Sequence, residues 1–285
     1  MLGRDFALHE RAGILASFMS LLALASVALL LGIDAAAATS PAEPSAPPQE
    51  LACLAQHYTL TPALENGVWV AVLPGGVRVP FDDGKVKTFD QRLEAPDLKD
   101  MFLIPYRPGP IREVSTENDD PGRIRVEAIF AITYGDSHAA AAAQIRVHFM
   151  GMPIRVHRKI APALERVAKR IARAEKIDAG IDRFLRRLSG GFAARNIAGT
   201  DRPSAHAFGV AVDLDKSMAD YWRWQKPLRW RNRIPQAIVD AFEAEGFIWG
   251  GRWYHYDTMH FEYRPELFSP LCQKEASADS GIRSR

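Results

Sequence analysis

Polar and apolar positions divide the chain into stretches of different character. Residues 14–32 are apolar and uncharged without interruption, and residues 39–50 are rich in Pro, Ser and Ala. From Gly67 to about Phe149, short apolar or alternating runs (GVWVAVL, MFLIPY, RIRVEAIFAITYG) are bounded by PGG, DDG, RPGP and NDDPG. That pattern predicts strands joined by turns. QIRVHFM and PIRVHR, on either side of GMP, predict a hairpin, and DSHAAAAAQ predicts a short helix between strands. Ile160, Leu164, Val167 and Ile171 form a helical stripe and predict a helix over 160–176. Ile181, Phe184, Leu185 and Leu188 predict a shorter helix that ends at SGG. A third is expected over 234–246, with Pro235 in its first turn and Gly246 at its C-cap.

Composition changes this picture mainly at the ends. Arg4 and Arg11 precede the apolar run and DAAAATS follows it. This fits a secretory signal cut near Ala37 or Ala38. The run is also long enough to remain as a membrane anchor. Either reading exports the rest of the chain. Residues 39–50 read as a linker, the folded part starts near Leu51, and residues 271–285 read as a disordered tail. The formal net charge of +2 gives no argument for a nucleic-acid partner. Arg166, Lys169, Arg170 and Arg173 lie off the apolar stripe of their helix, as a solvated face or as an attraction to an anionic surface. The three tryptophans of DYWRWQKPLRWR fit packing under a long loop or an exposed aromatic patch. Cys53 and Cys272 are the two cysteines. In an exported chain they form either one disulfide or two separate buried thiols. No CxxC spacing exists, which argues against a cysteine metal site.

The candidate chemistry lies in two clusters. In SAHAFGVAVDLD, Ala211 and Asp213 fall on one face of a strand, with Val210, Val212 and Leu214 on the other. His206 has the wrong parity for that face and must come from a turn ahead of the strand, where Gly209 permits close approach. In WGGRWYHYDTMHFEY, Asp257 and His260 form a D-x-x-H pair, and HFEY alternates like a strand. Two histidines and an aspartate (His206, Asp213 and His260) are three protein ligands that leave a position open, the catalytic rather than the structural zinc arrangement. Asp257 is then the spare carboxylate, a general base for water. Glu262 shares the parity of His260 and is placed to support it. His255 reads as a rim residue, with metal ligation left open.

The motif S-x-H-x-x-G-x-A-x-D in SAHAFGVAVDLD, followed by D-x-x-H in DTMHFEY, resembles the D-alanyl-D-alanine carboxypeptidase (VanY-like) zinc peptidases. That group includes D-Ala-D-Ala dipeptidases and phage L-alanyl-D-glutamate endopeptidases. The resemblance is strongest from about Gly190 to Glu266. It implies an α+β zinc domain of the Hedgehog/DD-peptidase type over 151–270, a small antiparallel sheet flanked by helices, preceded by a strand-rich region over 51–150. It implies Zn²⁺ held by His206, Asp213 and His260, and Asp257 as catalytic acid and base. Arg195, in GGFAARNIAGT, matches the arginine that stabilises the substrate carbonyl, and Ser204 matches the motif serine that holds site or substrate. The expected activity is that of an exported peptidase, periplasmic or membrane-anchored and facing the cell wall, that cleaves peptidoglycan stem peptides. A D-Ala-D-Ala carboxypeptidase comes first. An L-alanyl-D-glutamate-type endopeptidase and a non-catalytic, zinc-containing wall-binding domain are the alternatives. The dipeptidase branch usually carries Glu where this chain has Asp257, and the endopeptidase branch can carry Asp. Neither the bond cleaved nor the oligomeric state is written in these motifs.

Overall fold

The computed structural model describes residues 46–272. The apolar run at 14–32, its cleavage region, most of the linker and the chain after Cys272 lie outside the described residues. Among those described, no helix is long and apolar enough to cross a membrane.

The described residues open with α1 (Gln49–His57), so the expected linker gives way to helix two residues before Leu51. A three-stranded antiparallel sheet follows: β1 (Thr61–Glu65), β2 (Val68–Val72) and β3 (Arg78–Pro80), in that order. The first turn places Asn66 and Gly67 at positive φ, as a two-residue hairpin loop requires. Next comes α2 (Phe89–Glu94), closed at its start by a capping box between Thr88 and Gln91.

The strand expectation fails in the next stretch. MFLIPY begins in a 3₁₀ turn, Lys99–Phe102, and much of RIRVEAIFAITYG forms a helix, α3 (Glu127–Tyr134). Ile129, Phe130, Thr133 and Tyr134 are its buried positions, a spacing of three and four that fixes one helical face. Short apolar runs of this kind do not distinguish strand from helix by pattern alone. The region 51–150 is therefore mixed rather than strand-rich.

The expected short helix is α4 (Ser137–Ala142), with Asp136 accepting a hydrogen bond from the Ala139 amide as its cap. The expected hairpin forms from β4 (Gln144–Phe149) and β5 (Met152–His157), turning through Met150 and Gly151, both at positive φ. This hairpin straddles the expected boundary at 150/151. One hydrophobic core also includes residues from both sides of it, from Leu51 and Leu54 to Phe247 and Phe261.

The long helix is α5 (Ala161–Glu175), within the predicted span. The second expected helix is only a 3₁₀ turn, Ala179–Phe184. Leu188 leaves that face and starts β6 (Leu188–Gly190), so SGG enters a sheet instead of ending a helix. Then come α6 (Ala205–Phe208), β7 (Ala211–Leu214), α7 (Gln236–Glu243), β8 (Phe247–Trp249) and β9 (His260–Tyr263). Pro235 is the N-cap of α7. Ala244 is its C-cap, and Gly246, at φ +83°, turns the chain toward β8.

Strands β6, β7, β9 and β8 make one antiparallel sheet in that order. Its alternation separates core from chemistry. Val212 and Phe261 pair across β7 and β9, and the Phe261 ring stacks on Phe242 of α7 at 3.9 Å between centroids. Ala211, Asp213, His260 and Glu262 occupy the other face. This arrangement is α+β, with a small antiparallel sheet and helices as expected.

Cys53 and Cys272 form a disulfide, with Cα atoms 5.4 Å apart. It joins α1 to the last described residues, so Cys272 is fixed rather than part of a free tail.

Candidate metal centre

His206 is carried by α6, a single helical turn. Ser204 caps that turn, its hydroxyl oxygen accepting from the His206 amide at 3.4 Å. Gly209 ends it at φ +71°, a left-handed conformation that favours glycine. A Cβ there would also lie 2.1 Å from the Gln144 side chain. The turn solves the parity problem: helix geometry, not strand alternation, aims His206 at the sheet face that bears Asp213.

Asp213 and His260 are direct partners in the β7–β9 register. Asp213 Oδ1 lies 3.0 Å from His260 Nδ1, and Asp213 Oδ2 lies 3.1 Å from His206 Nε2. One ligand atom from each of the three residues fits within 4.8 Å of the others. Tetrahedral zinc bonds of about 2.1 Å put ligand atoms roughly 3.4 Å apart, so these separations suit one small cation.

The nitrogens left over are also held, and this fixes which ones face the centre. His206 Nδ1 meets the Gly191 carbonyl at 2.7 Å. Nδ1–H donates to that carbonyl, which leaves Nε2 with a free lone pair. His206 Nε2 is buried and makes no aligned hydrogen bond, despite its closeness to Asp213. An orphaned, buried imidazole nitrogen beside a carboxylate is the chemistry of a metal ligand. On the other histidine, Nε2 faces Glu262 Oε2 at 3.5 Å, an electrostatic contact that leaves Nδ1 toward Asp213. Gly190 closes the site from β6. A Cβ there would sit 3.2 Å from Asp213 Oδ2 and 3.4 Å from the His206 ring.

Burial works against the Asp213 charge, but the two histidines facing it hold its carboxyl well below the usual range. Burial alone would lower His260. Its contacts with Asp213 and Glu262 raise it instead. Asp213 and His260 are thus placed so that each stabilises the other's charged form.

Asp257 lies beside this set, on the loop between β8 and β9. Its amide donates to the Gly250 carbonyl at 2.9 Å, and its own carbonyl accepts from the His260 amide at 3.2 Å. Burial pushes its carboxyl up to about 6, with Asp213 assisting and the two histidines opposing. One oxygen, Oδ1, is buried without a partner. A carboxyl poised near neutrality suits proton transfer.

The other candidates are placed differently. Arg195 is exposed, and its carbonyl accepts from the Ser204 amide at 3.0 Å. Its charge acts on the phenol of Tyr221, as does that of Asp257. Ser204 is buried and faces inward to its own turn. His255 stands outside the cluster, with Nδ1 2.8 Å from Asp120 Oδ2.

Sequence patterns alone missed three groups. Arg125 is buried and spans 3.1 Å to Glu262 and 2.6 Å to the Pro203 carbonyl. It therefore joins the support of His260 to the entrance of the His206 turn. Asp120, fully buried, fixes His255 through both its ring and its amide. Tyr221 bridges Asp257 through backbone pairing. Arg125 and Asp120 lie in the region upstream of the two motifs, so that region helps build the site. No local signal marked them. Parity marked Glu262 as a support of His260, but nothing in it pointed to the arginine that balances this buried carboxylate.

No curated protein and no solved structure matches the chain. A family model described as D-alanyl-D-alanine carboxypeptidase matches residues 198–263. That span holds Ser204, His206, Asp213, Asp257 and His260, and it starts just after Arg195. The segment that brings both motifs to one sheet face is therefore similar to the D-alanyl-D-alanine carboxypeptidase family.

Proposed function

We propose that the chain is an exported, zinc-dependent peptidase that removes the terminal residue from D-Ala-D-Ala-ended peptidoglycan stem peptides. The observation that carries this reading is the convergence of His206, Asp213 and His260 within 4.8 Å, with the raised carboxyl of Asp257 beside them. When bound, zinc supplies Lewis-acid polarisation of a carbonyl and lowers the pKa of water. His206, Asp213 and His260 would hold it. The Gly191 carbonyl and Glu262 fix the two imidazole rings in orientation. Asp257 accepts a proton from the attacking water and returns it to the leaving amine. Arg195 places positive charge where the carbonyl oxygen becomes negative. Ser204 acts on His206 through its cap rather than by reaching substrate.

The Cys53–Cys272 disulfide supports export, because such bonds persist in oxidising compartments. Asp257, where the dipeptidase branch usually has Glu, supports an L-alanyl-D-glutamate-type endopeptidase as the second reading. Incubation with stem peptides of defined sequence separates the two by the mass of the product. Loss of one alanine supports the carboxypeptidase, and internal cleavage supports the second reading. Binding without any cleavage would leave a non-catalytic wall-binding domain.

A further inference from the structure

A second opening lies beside the Asp257 loop and takes no part in the chemistry above. It is a cleft of about 1030 Å³ whose lining includes Arg112, Arg229, Arg231, Arg233, Trp224 and Trp230. Two carboxylates, Glu113 and Asp220, also face it, so positive charge dominates. Arg233 is committed to Asp220 at 3.1 Å. Arg112, Arg229 and Arg231 are exposed and make no hydrogen bond or ion pair among the described residues. Trp224 is 56% exposed, the one tryptophan among the exposed large apolar side chains of the described residues.

Both walls of this cleft are tied to the loop that carries Asp257. Asp220 and Thr258 exchange backbone and side-chain hydrogen bonds, with the Asp220 amide 2.7 Å from Thr258 Oγ1 and the Thr258 amide 2.9 Å from the Asp220 carbonyl. Thr258 directly follows Asp257, and Tyr221 pairs with Asp257 itself. On the other wall, the Trp230 indole donates to the Gly251 carbonyl at 2.9 Å. Neighbouring Gly250 accepts the Asp257 amide. Both walls of the cleft are therefore held by the same short segment that carries Asp257.

Guanidinium groups match carboxylates as planar, two-pronged donors. Free arginines around an open cleft, with an exposed indole for apolar contact, suit a ligand that is both anionic and amphipathic. We propose that the cleft binds the free carboxylates of an acidic peptide, as a subsite for the part of the substrate next to the bond presented to Asp257. The proposal rests on the peptidase reading for the identity of that ligand as a peptide. Arg229 and Arg231 contribute charge at the rim, and Trp224 covers the peptide between carboxylates.

The test uses the full chain carrying Asp257→Ala, so that no ligand is consumed. Binding of a synthetic tetrapeptide with two free side-chain carboxylates is compared with that of its diamide, by calorimetry at low and at physiological salt. The acidic peptide is expected to bind at least about tenfold more tightly, worth about 1.4 kcal/mol, and the preference should shrink as salt rises. Arg229→Glu with Arg231→Glu should abolish the preference. Arg112→Ser, a milder exposed change, should reduce it in the event that the double variant does not fold. Equal binding of acid and diamide overturns the proposal. So does an acid preference that survives these substitutions, or selective binding of an anionic polysaccharide with no binding of the peptide. Hydrolysis of wall peptides by the unsubstituted chain is scored separately. Acid-selective binding without hydrolysis retains the cleft and discards the peptidase, whereas hydrolysis without acid preference does the reverse.

Discussion

Asp213 and His260 face each other across β7 and β9, and their side chains close to 3.0 Å. Backbone pairing therefore sets one edge of the candidate centre, and the α6 turn swings His206 in to complete it. A site fixed this way depends on every ligand. His206→Ala, His260→Ala and Asp213→Asn are each expected to lose most bound zinc, while the unsubstituted chain retains roughly one ion. Metal analysis of the purified proteins checks this, and full occupancy in both histidine variants would contradict the ligand set.

Glu262 supports His260, and Arg125 balances Glu262 at 3.1 Å in a buried setting. Removing the arginine strands a buried carboxylate behind a ligand. Arg125→Ala is expected to weaken zinc affinity by about 10- to 100-fold, the usual range for outer supports of metal ligands. Competition with a chelator of known affinity measures this. Arg125→Lys should recover part of the loss by keeping the charge. A purely structural role would lower the melting temperature without changing the zinc affinity of the folded fraction.

The raised carboxyl of Asp257 predicts a pH-dependent effect in the metal-free protein. Burial raises its pKa in the folded protein to about 6, from an ordinary value of 3.8. Such a group favours folding while protonated, and that contribution is lost as pH rises from about 4 through 6. Above this window the buried charge destabilises the fold by up to about 3 kcal/mol. Asp257→Asn should therefore raise the melting temperature of chelator-treated protein at pH 7.5 by several degrees, with little effect at pH 4. Thermal melts at the two pH values check the sign. A lower melting temperature for Asp257→Asn at pH 7.5 would count against a destabilising buried charge.

The Cys53–Cys272 link closes a separation of 219 residues. By the chain-entropy argument, a loop of that length stabilises the fold by about 5 kcal/mol. Reduction should lower the melting temperature by roughly 10 °C for a domain of this size. Cys53→Ser with Cys272→Ser should reproduce the shift and become insensitive to reductant. Calorimetry with and without dithiothreitol measures both.

The candidate site was legible in the sequence where its logic is local. His206 and Asp213 lie on one short turn–strand unit, and Asp257 and His260 on one loop–strand unit, so spacing and parity described each half before their meeting was known. The partners that hold those halves are distant in sequence. Arg125 meets Glu262, and Asp120 meets His255, across more than a hundred residues. No periodicity links such positions. The strand expectation for RIRVEAIFAITYG failed for another reason: RIRVE alternates like a strand but AIFAI is a short apolar run that fits strand or helix, and tertiary packing of Ile129, Phe130 and Tyr134 settled it as a helix. SGG was misread because glycine marks both helix ends and close approaches. Here Gly190 is small because Asp213 and His206 lie against it.

The most direct test of the account is mass spectrometry of a pentapeptide stem ending in D-Ala-D-Ala, incubated with the zinc-loaded chain and with its Asp257→Ala variant. The account predicts a product lighter by one alanine residue with the unsubstituted chain. It also predicts a fall of at least about 100-fold in rate with the variant, at unchanged zinc content. No product from the zinc-loaded chain, or an undiminished rate with Asp257→Ala, would contradict it.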